Sequence, residues 1–244
     1  MNLAQKDKVL DRDQFVALTL ACQKAFFDAC GFLWIPNAIP AAAIEQVLTD
    51  LDAHAPRRSI EYAVEWPVPA AVELITDENI LRPMRACIGD DVRFFKGVFG
   101  QWLNHGEETM ERGRQTLHRD FNEAGKALPC WCNCAIYCLN LEPGQGPFWV
   151  VPGTHKLAPV APDADFENLS DEALMLCARS GDAVFFHCLT VHAGGAMPDR
   201  RPRPSFFHSY RPGAQPPAPS MPPWPEEIVA AAAADLRPLL AFNR

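Results

Sequence analysis

The chain has 244 residues, 48% hydrophobic and 21% charged, enough to bury one sizeable core. A formal charge of -8, with no basic cluster beyond Arg200-Arg201-Pro202-Arg203, excludes a phosphate-backbone binder, so no nucleic-acid partner is expected. No run of about 18 apolar residues occurs and Met1 to Asp13 is charged rather than apolar, so neither a membrane partner nor a secretory leader is expected; the reading is a cytoplasmic monomer or homodimer.

Asp13 can cap a run in which Phe15, Leu18, Cys22, Phe26 and Cys30 recur at helical spacing, with Gly31 ending it. Phe32 to Pro36 reads as a short apolar strand. Ile44, Val47, Leu48 and Leu51 predict a second helix beginning near Pro40, and His54 follows its end as solvent-facing loop. Residues 55 to 76 carry no clear period. A third helix is expected from Glu78 to Ile88, stopped by Gly89.

Just after residue 90 the period changes. Val92 to Asn104, Thr116 to Asp120, Trp131 to Asn140, Phe148 to Val151, Ala183 to Phe186 and Ser205 to Tyr210 are short aromatic or β-branched runs separated by Gly, Pro, Asn and Asp. Seven of the 23 prolines lie between Arg211 and Pro225, a connector rather than a strand, and Glu226 to Leu240 reads as a closing helix. The expected class is mainly β with flanking helices, a double-stranded β-helix (jelly roll, cupin-like). One domain is expected over residues 1–244: a helical support at 13–90, the jelly-roll core at 91–211, and the connector with closing helix at 212–244.

Nine cysteines, an odd number without a secretory signal, point to reduced thiols. Cys130, Cys132, Cys134 and Cys138 share one parity and would line one face of a strand, but buried strand cysteines usually act as small hydrophobes.

Chemistry enters at Gln115-Thr116-Leu117-His118-Arg119-Asp120. In an extended strand His118 and Asp120 point to one side, offering an imidazole and a carboxylate together. A non-haem Fe(II) site needs one more histidine and open positions for a co-substrate and O2. His192, after the apolar strand 183–186, is a candidate; His155, His187 and His208 compete, and spacing alone does not choose among them. Downstream, Arg203 and Ser205 fall on one strand face, a fork and a hydroxyl suited to the far carboxylate of a dicarboxylate.

Taken in order, these motifs resemble the phytanoyl-CoA dioxygenase superfamily of Fe(II)/2-oxoglutarate-dependent oxygenases. The resemblance rests on His118-Arg119-Asp120, on Gly146-Pro147-Phe148-Trp149-Val150-Val151-Pro152-Gly153-Thr154-His155, on Gly181-Asp182, and on His192 with Arg203 eleven residues later. Phe26 to Leu33 with Ile35 to Ile39 is similar to the family's opening helix and strand. The resemblance implies that His118, Asp120 and His192 ligate Fe(II) and that Arg203, with Ser205, holds the far carboxylate of 2-oxoglutarate. It also implies a co-substrate contact for Gln115. Phe148 stands where the resemblance implies a threonine near the co-substrate, Ala135 where it implies a tryptophan in the strand before the Gly-Pro turn, and Asn133 is a candidate replacement contact. The implied reaction consumes O2 and 2-oxoglutarate, releases succinate and CO2, and oxidises a small, hydrophobic substrate, with hydroxylation as the default. The carboxylate at Asp120 speaks against halogenating variants. Lys96 and Arg119 are further cations that could meet an anionic group. The competing readings are a zinc-dependent hydrolase using the same triad and a catalytically silent jelly-roll binding protein.

Overall fold

The computed structural model describes residues 5, 6, 8–102, 113–121, 131–157, 165–197, 201–215 and 223–241. Two sheets carry the fold. The larger has the order β3 (Phe32–Ile35), β9 (Ala183–His187), β6 (Cys132–Tyr137), β11 (Arg203–Pro212), β5 (Val92–Trp102) and β4 (Ile60–Glu61). The smaller runs β1 (Gln5–Lys6), β2 (Val9–Leu10), β8 (Leu174–Leu176), β7 (Phe148–Val150) and β10 (His192–Gly194). Neither sheet closes into a barrel. Phe148 of the small sheet meets Phe186 of the large one with ring centroids 5.0 Å apart, so the two pack face to face in a jelly roll.

β11 runs between β5 and β6 and sorts its side chains by parity. Phe206, His208 and Tyr210 turn outward, where Tyr210 Oη donates to the Ile75 carbonyl at 3.0 Å and Trp224 Nε1 donates to the Phe94 carbonyl at 2.8 Å. This outer layer receives α4 (Pro69–Thr76) and α5 (Glu78–Ile88). Arg203, Ser205, Phe207 and Ser209 take the opposite parity, toward the small sheet.

Several helices differ from expectation. The run from Asp13 to Cys30 is two helices, α1 (Asp13–Val16) and α2 (Leu20–Cys30), because Thr19 turns extended and its hydroxyl accepts from the Cys22 N–H. α3 (Ala41–His54) follows Pro40 as expected, but His54 closes the helix and its Nε2 lies 2.8 Å from Glu65 Oε1. α4 lies in the stretch that showed no period; eight residues opened by Pro69 are too few to display one. The closing helix is also two, α6 (Glu226–Ala231) and α7 (Arg237–Leu240). Part of the proline-rich connector and Asn104 lie outside the described residues, as does Cys130. Cys132, Cys134 and Cys138 are buried, and burial pushes the Cys134 and Cys138 thiols up, so they pack as small apolar groups. Among the described residues no helix is long and apolar enough to cross a membrane.

The motif Gly181-Asp182 serves the fold. Gly181 has φ +84, and a Cβ there would meet the Ile39 carbonyl oxygen at 2.0 Å. Asp182, fully buried, accepts from Arg12 Nε at 2.8 Å and Nη2 at 2.6 Å, from Trp34 Nε1 at 3.1 Å, and from the N–H groups of Asn37 at 2.8 Å and Arg179 at 3.0 Å. Replacing it by alanine strands those donors and the Arg12 charge. Asp182→Ala is expected to lose about 3–5 kcal/mol of unfolding free energy in urea titrations.

Two histidines of the large sheet, half-buried His187 and fully buried His208, also set an acid limit. Burial lowers His187 to about 4 and His208 to about 3, while both return to the ordinary value of 6.5 on unfolding. Below pH 6.5 the unfolded chain takes up protons that the folded chain refuses, so stability falls as pH falls toward 4. The loss should approach about 1.4 kcal/mol per pH unit per histidine, and His208→Gln should flatten the slope of melting temperature against pH between 6.5 and 4.

Candidate metal centre

His118 and His192 are held opposite each other by their own main chain. The His118 N–H donates to the His192 carbonyl at 3.0 Å and the His192 N–H donates to the His118 carbonyl at 2.9 Å, an isolated antiparallel bridge. Residues paired in this way put their side chains on one face, and the two imidazole centroids are 4.5 Å apart. Asp120, two residues after His118, returns to the same side, with its Oδ1 3.7 Å from His192 Nε2. One donor atom from each of His118, Asp120 and His192 lies within 4.8 Å of the others, and no other such group occurs among the described residues.

Each ring is oriented by a second bond. His118 Nδ1 lies 2.9 Å from the Thr116 carbonyl and His192 Nδ1 2.9 Å from the Thr190 carbonyl. A carbonyl only accepts, so Nδ1 carries the proton and the Nε2 lone pair is left for a metal. His192 is buried between Phe186 and Phe148, at 4.5 and 5.5 Å, and that burial lowers it to about 4 against the opposing pull of Asp120. The ring is therefore neutral at physiological pH, the form that coordinates a divalent ion.

The segment carrying His118 is less regular than the predicted strand. Only Arg114 and His118 form bridges, and the Leu117 N–H, which points away from β10, is taken at 2.7 Å by Glu167 Oε1. Glu167 in turn receives Arg114 Nη1 at 3.0 Å and Nη2 at 2.9 Å. Leu117 turns away from the donor set and packs with Val151, Val191 and Ala193. Thus His118 and Asp120 share a side as alternation requires, although the ladder that normally imposes it is broken.

A second group of polar residues gathers at the start of β11. Arg203 is 7% exposed, and Nη1 donates to the Gly146 carbonyl. Burial pulls its pKa down, opposed by nearby Tyr137, and among the described residues no carboxylate pairs with it. Ser205, two residues on, is fully buried and its Oγ has no hydrogen-bond partner among the described residues. Directly across on β6 stands Tyr137, pushed up to about 12 by burial, with the Arg203 charge opposing. Gln115 Oε1 accepts from the Gly194 N–H at 3.0 Å, and a Cβ built on Gly194 would lie 3.0 Å from both Gln115 Oε1 and Arg203 Nη2. Gln115 and Arg203 therefore converge on one small patch of β10 that only glycine leaves open.

Asn133 spends both ends of its amide on protein: Nδ2 donates to Asp120 Oδ2, and Oδ1 accepts from Ser209 Oγ at 2.6 Å. The competing histidines lie elsewhere. His208 is in the outer layer, 3.2 Å from Tyr62 Oη, and His155 and His187 face each other at 5.7 Å. Arg119 points away from the donor set, donating to the Thr154 carbonyl at 2.6 Å with its guanidinium over Phe166. Three contributors escape sequence reasoning: Tyr137, Phe186 and Glu167. Tyr137 was discoverable, since it shares parity with Asn133 and Ala135; Glu167 acts across a long loop and left no local signal.

The chain matches the phytanoyl-CoA dioxygenase (PhyH) family over residues 27–204. No curated protein sequence matches it. Among solved structures it is similar to the epimerase SnoN in complex with Fe3+, alpha ketoglutarate and nogalamycin RO, with 20% identity, TM-score 0.64, and 80% of this chain and 84% of that one covered. It is similar to HygX from Streptomyces hygroscopicus with nickel and 2-oxoglutarate bound, with 21% identity, TM-score 0.59, and coverage of 81% and 88%. EctD from S. alaskensis with 2-oxoglutarate and 5-hydroxyectoine gives 20% identity, TM-score 0.63, and coverage of 86% and 83%. At these identities the likeness concerns the fold, while the family match spans well over half of the chain, including His118, Asp120, His192, Gln115, Tyr137 and Arg203, and ends one residue before Ser205. The chain belongs to the phytanoyl-CoA dioxygenase (PhyH) family.

Proposed function

We propose that the protein is an Fe(II)- and 2-oxoglutarate-dependent dioxygenase that hydroxylates a small hydrophobic metabolite. The observation that carries this reading is the buried Arg203 guanidinium, which meets no carboxylate among the described residues, two positions before Ser205, whose hydroxyl has no partner among them. A buried cation and an orphaned hydroxyl are costly unless a ligand satisfies them. They sit on the site face of the same sheet that braces Asp120, which fits a dicarboxylate chelating a metal at its other end.

In this reading His118, Asp120 and His192 hold the iron, and Arg203, Ser205 and Tyr137 hold the far carboxylate of 2-oxoglutarate. Gln115, fixed through Oε1, keeps its Nε2 donor for the same co-substrate. Bound there, iron and 2-oxoglutarate supply the oxidising chemistry with O2, releasing succinate and CO2. Phe148 and Phe186 keep the His192 side of the centre dry. Asn133 holds one oxygen of Asp120 so that the other can face the metal. The solved relatives support the assignment, HygX with nickel and 2-oxoglutarate and EctD with 2-oxoglutarate and 5-hydroxyectoine. SnoN, an epimerase, marks how the same scaffold serves other outcomes.

Anaerobic addition of Fe(II) and 2-oxoglutarate should produce a weak visible charge-transfer band that His118→Ala abolishes. Arg203→Ala should weaken 2-oxoglutarate about 100-fold, the loss of one charge-assisted carboxylate pair. No band, with tight zinc binding in its place, sinks the proposal.

Asn133→Leu leaves the ligand set intact but frees Asp120. Affinity for Fe(II), titrated anaerobically, is expected to fall about 10–100-fold while the fold, followed by circular dichroism, stays unchanged.

A further inference from the structure

Lys96 occupies an unusual place for an exposed lysine. On β5 it stands directly opposite Ser209 of β11, and Ser209 stands directly opposite Asn133 of β6. Residues opposite one another share a sheet face, and this face is the one on which Ser209 and Asn133 reach Asp120. Strand spacing places Lys96 roughly 10 Å along the sheet from Asn133. Inner faces of packed sheets are normally closed, yet Lys96 is exposed there, and among the described residues it has no ion-pair or hydrogen-bond partner. It is a cation at an open end of the site.

An aromatic wall adjoins it. The register between β5 and β11 skips Phe95, so this residue is the bulged position beside Lys96. Its ring meets Trp131 edge-on at 6.0 Å, and Trp131 meets Phe121 edge-on at 5.8 Å. Phe121 directly follows Asp120, so the wall extends from the bulge to the donor set. All three rings are only half-buried. Half-open aromatics beside a metal-binding group, ending at a lone cation, form a surface for a ligand with an apolar body and a negative end.

Given an oxygenase centre at His118, Asp120 and His192, we propose that Phe95, Trp131 and Phe121 with Lys96 form the substrate subsite, and that the substrate is an apolar organic acid. Its carboxylate meets Lys96 and its hydrocarbon or aromatic body lies along the wall toward Asp120. Arg203 plays no part in holding it, being at the other end of β11 and committed to the co-substrate.

The test uses protein loaded anaerobically with Fe(II) and saturating 2-oxoglutarate, which occupies Arg203. It is titrated with ω-phenylalkanoates from phenylacetate to 6-phenylhexanoate and with the matching primary amides, followed by tryptophan fluorescence and calorimetry. The expected result is that at least one acid binds tenfold or more tightly than its amide. Lys96→Met should erase that preference by weakening the acid alone, Lys96→Arg should restore it, and Trp131→Ala should weaken acid and amide alike. If no acid binds, if acid and amide bind equally, or if Lys96→Met leaves the acid's affinity unmoved, the substrate class is wrong. Failure of the oxygenase reading is seen separately, as absence of the Fe(II)–2-oxoglutarate band in the wild type before any probe is added.

Discussion

The pair of main-chain hydrogen bonds between His118 and His192 is the constraint on which the site depends. The two residues come from segments 74 positions apart in the chain, and only the backbone bridge fixes their rings on one side at 4.5 Å. Each ring is then locked by a carbonyl two residues earlier, Thr116 or Thr190, so rotation about either side chain would sacrifice a hydrogen bond, a buried one at His192. Glu167 works on the same segment from outside by seizing the Leu117 N–H and clamping Arg114. The donor set is thus organised mostly by peptide groups rather than by ligands pulling on flexible side chains, which is preorganisation in the sense that the ordering cost falls on folding.

β11 supplies a ruler for what the donor set faces. Arg203, Ser205, Phe207 and Ser209 follow one another on the same face, and strand rise separates the first from the last by roughly 20 Å. The beginning of the strand is a buried cation with an unsatisfied hydroxyl; its middle is apolar; its end braces Asp120 through Asn133 and abuts Lys96 across β5. On the proposed assignments, a dicarboxylate anchored at the beginning and an organic acid anchored past the end would approach the same metal-binding groups from opposite directions. Two like-charged ligands can then be taken at once because each has its own cation and neither must share.

Much of this arrangement was readable from residues. Period-two alternation put His118 and Asp120 together, and the same rule paired Arg203 with Ser205 before any strand partner was known. Alternation is an incomplete explanation at 114–120, where only isolated bridges form and a distant carboxylate holds the outer edge of the segment, yet the side chains keep their sides. Local patterns also misjudged continuity: Thr19 splits one apparent helix and the residues around Ala232 to Leu236 split another, since capping and chain reversal are set by neighbours that periodicity does not register. The Ser209–Asn133–Asp120 relay depends on strand register, which no single segment encodes.

The departures at Phe148 and Ala135 acquire a physical sense from the packing. Phe148 lies nearly parallel to the His192 ring, at 27° and 5.5 Å, and also contacts Phe186. A polar residue there could hydrogen-bond a ligand, whereas phenylalanine instead removes water from His192 and keeps the imidazole neutral. Ala135, fully buried between the Val184 and Phe207 positions, contributes little volume to the middle of the site face, where a larger ring would reach toward the space between Phe186 and Phe207. Bulk therefore sits on β7, in the wall behind His192, rather than at Ala135 on the face that Asn133 and Tyr137 share. The same β9 strand that presents Phe186 begins just after Asp182, to which four donors tie Arg12, Trp34 and Asn37 of the N-terminal segment. Docking of that segment and the wall behind His192 are consequently one mechanical unit, and loosening Asp182 would be felt at the metal-binding histidine through Phe186.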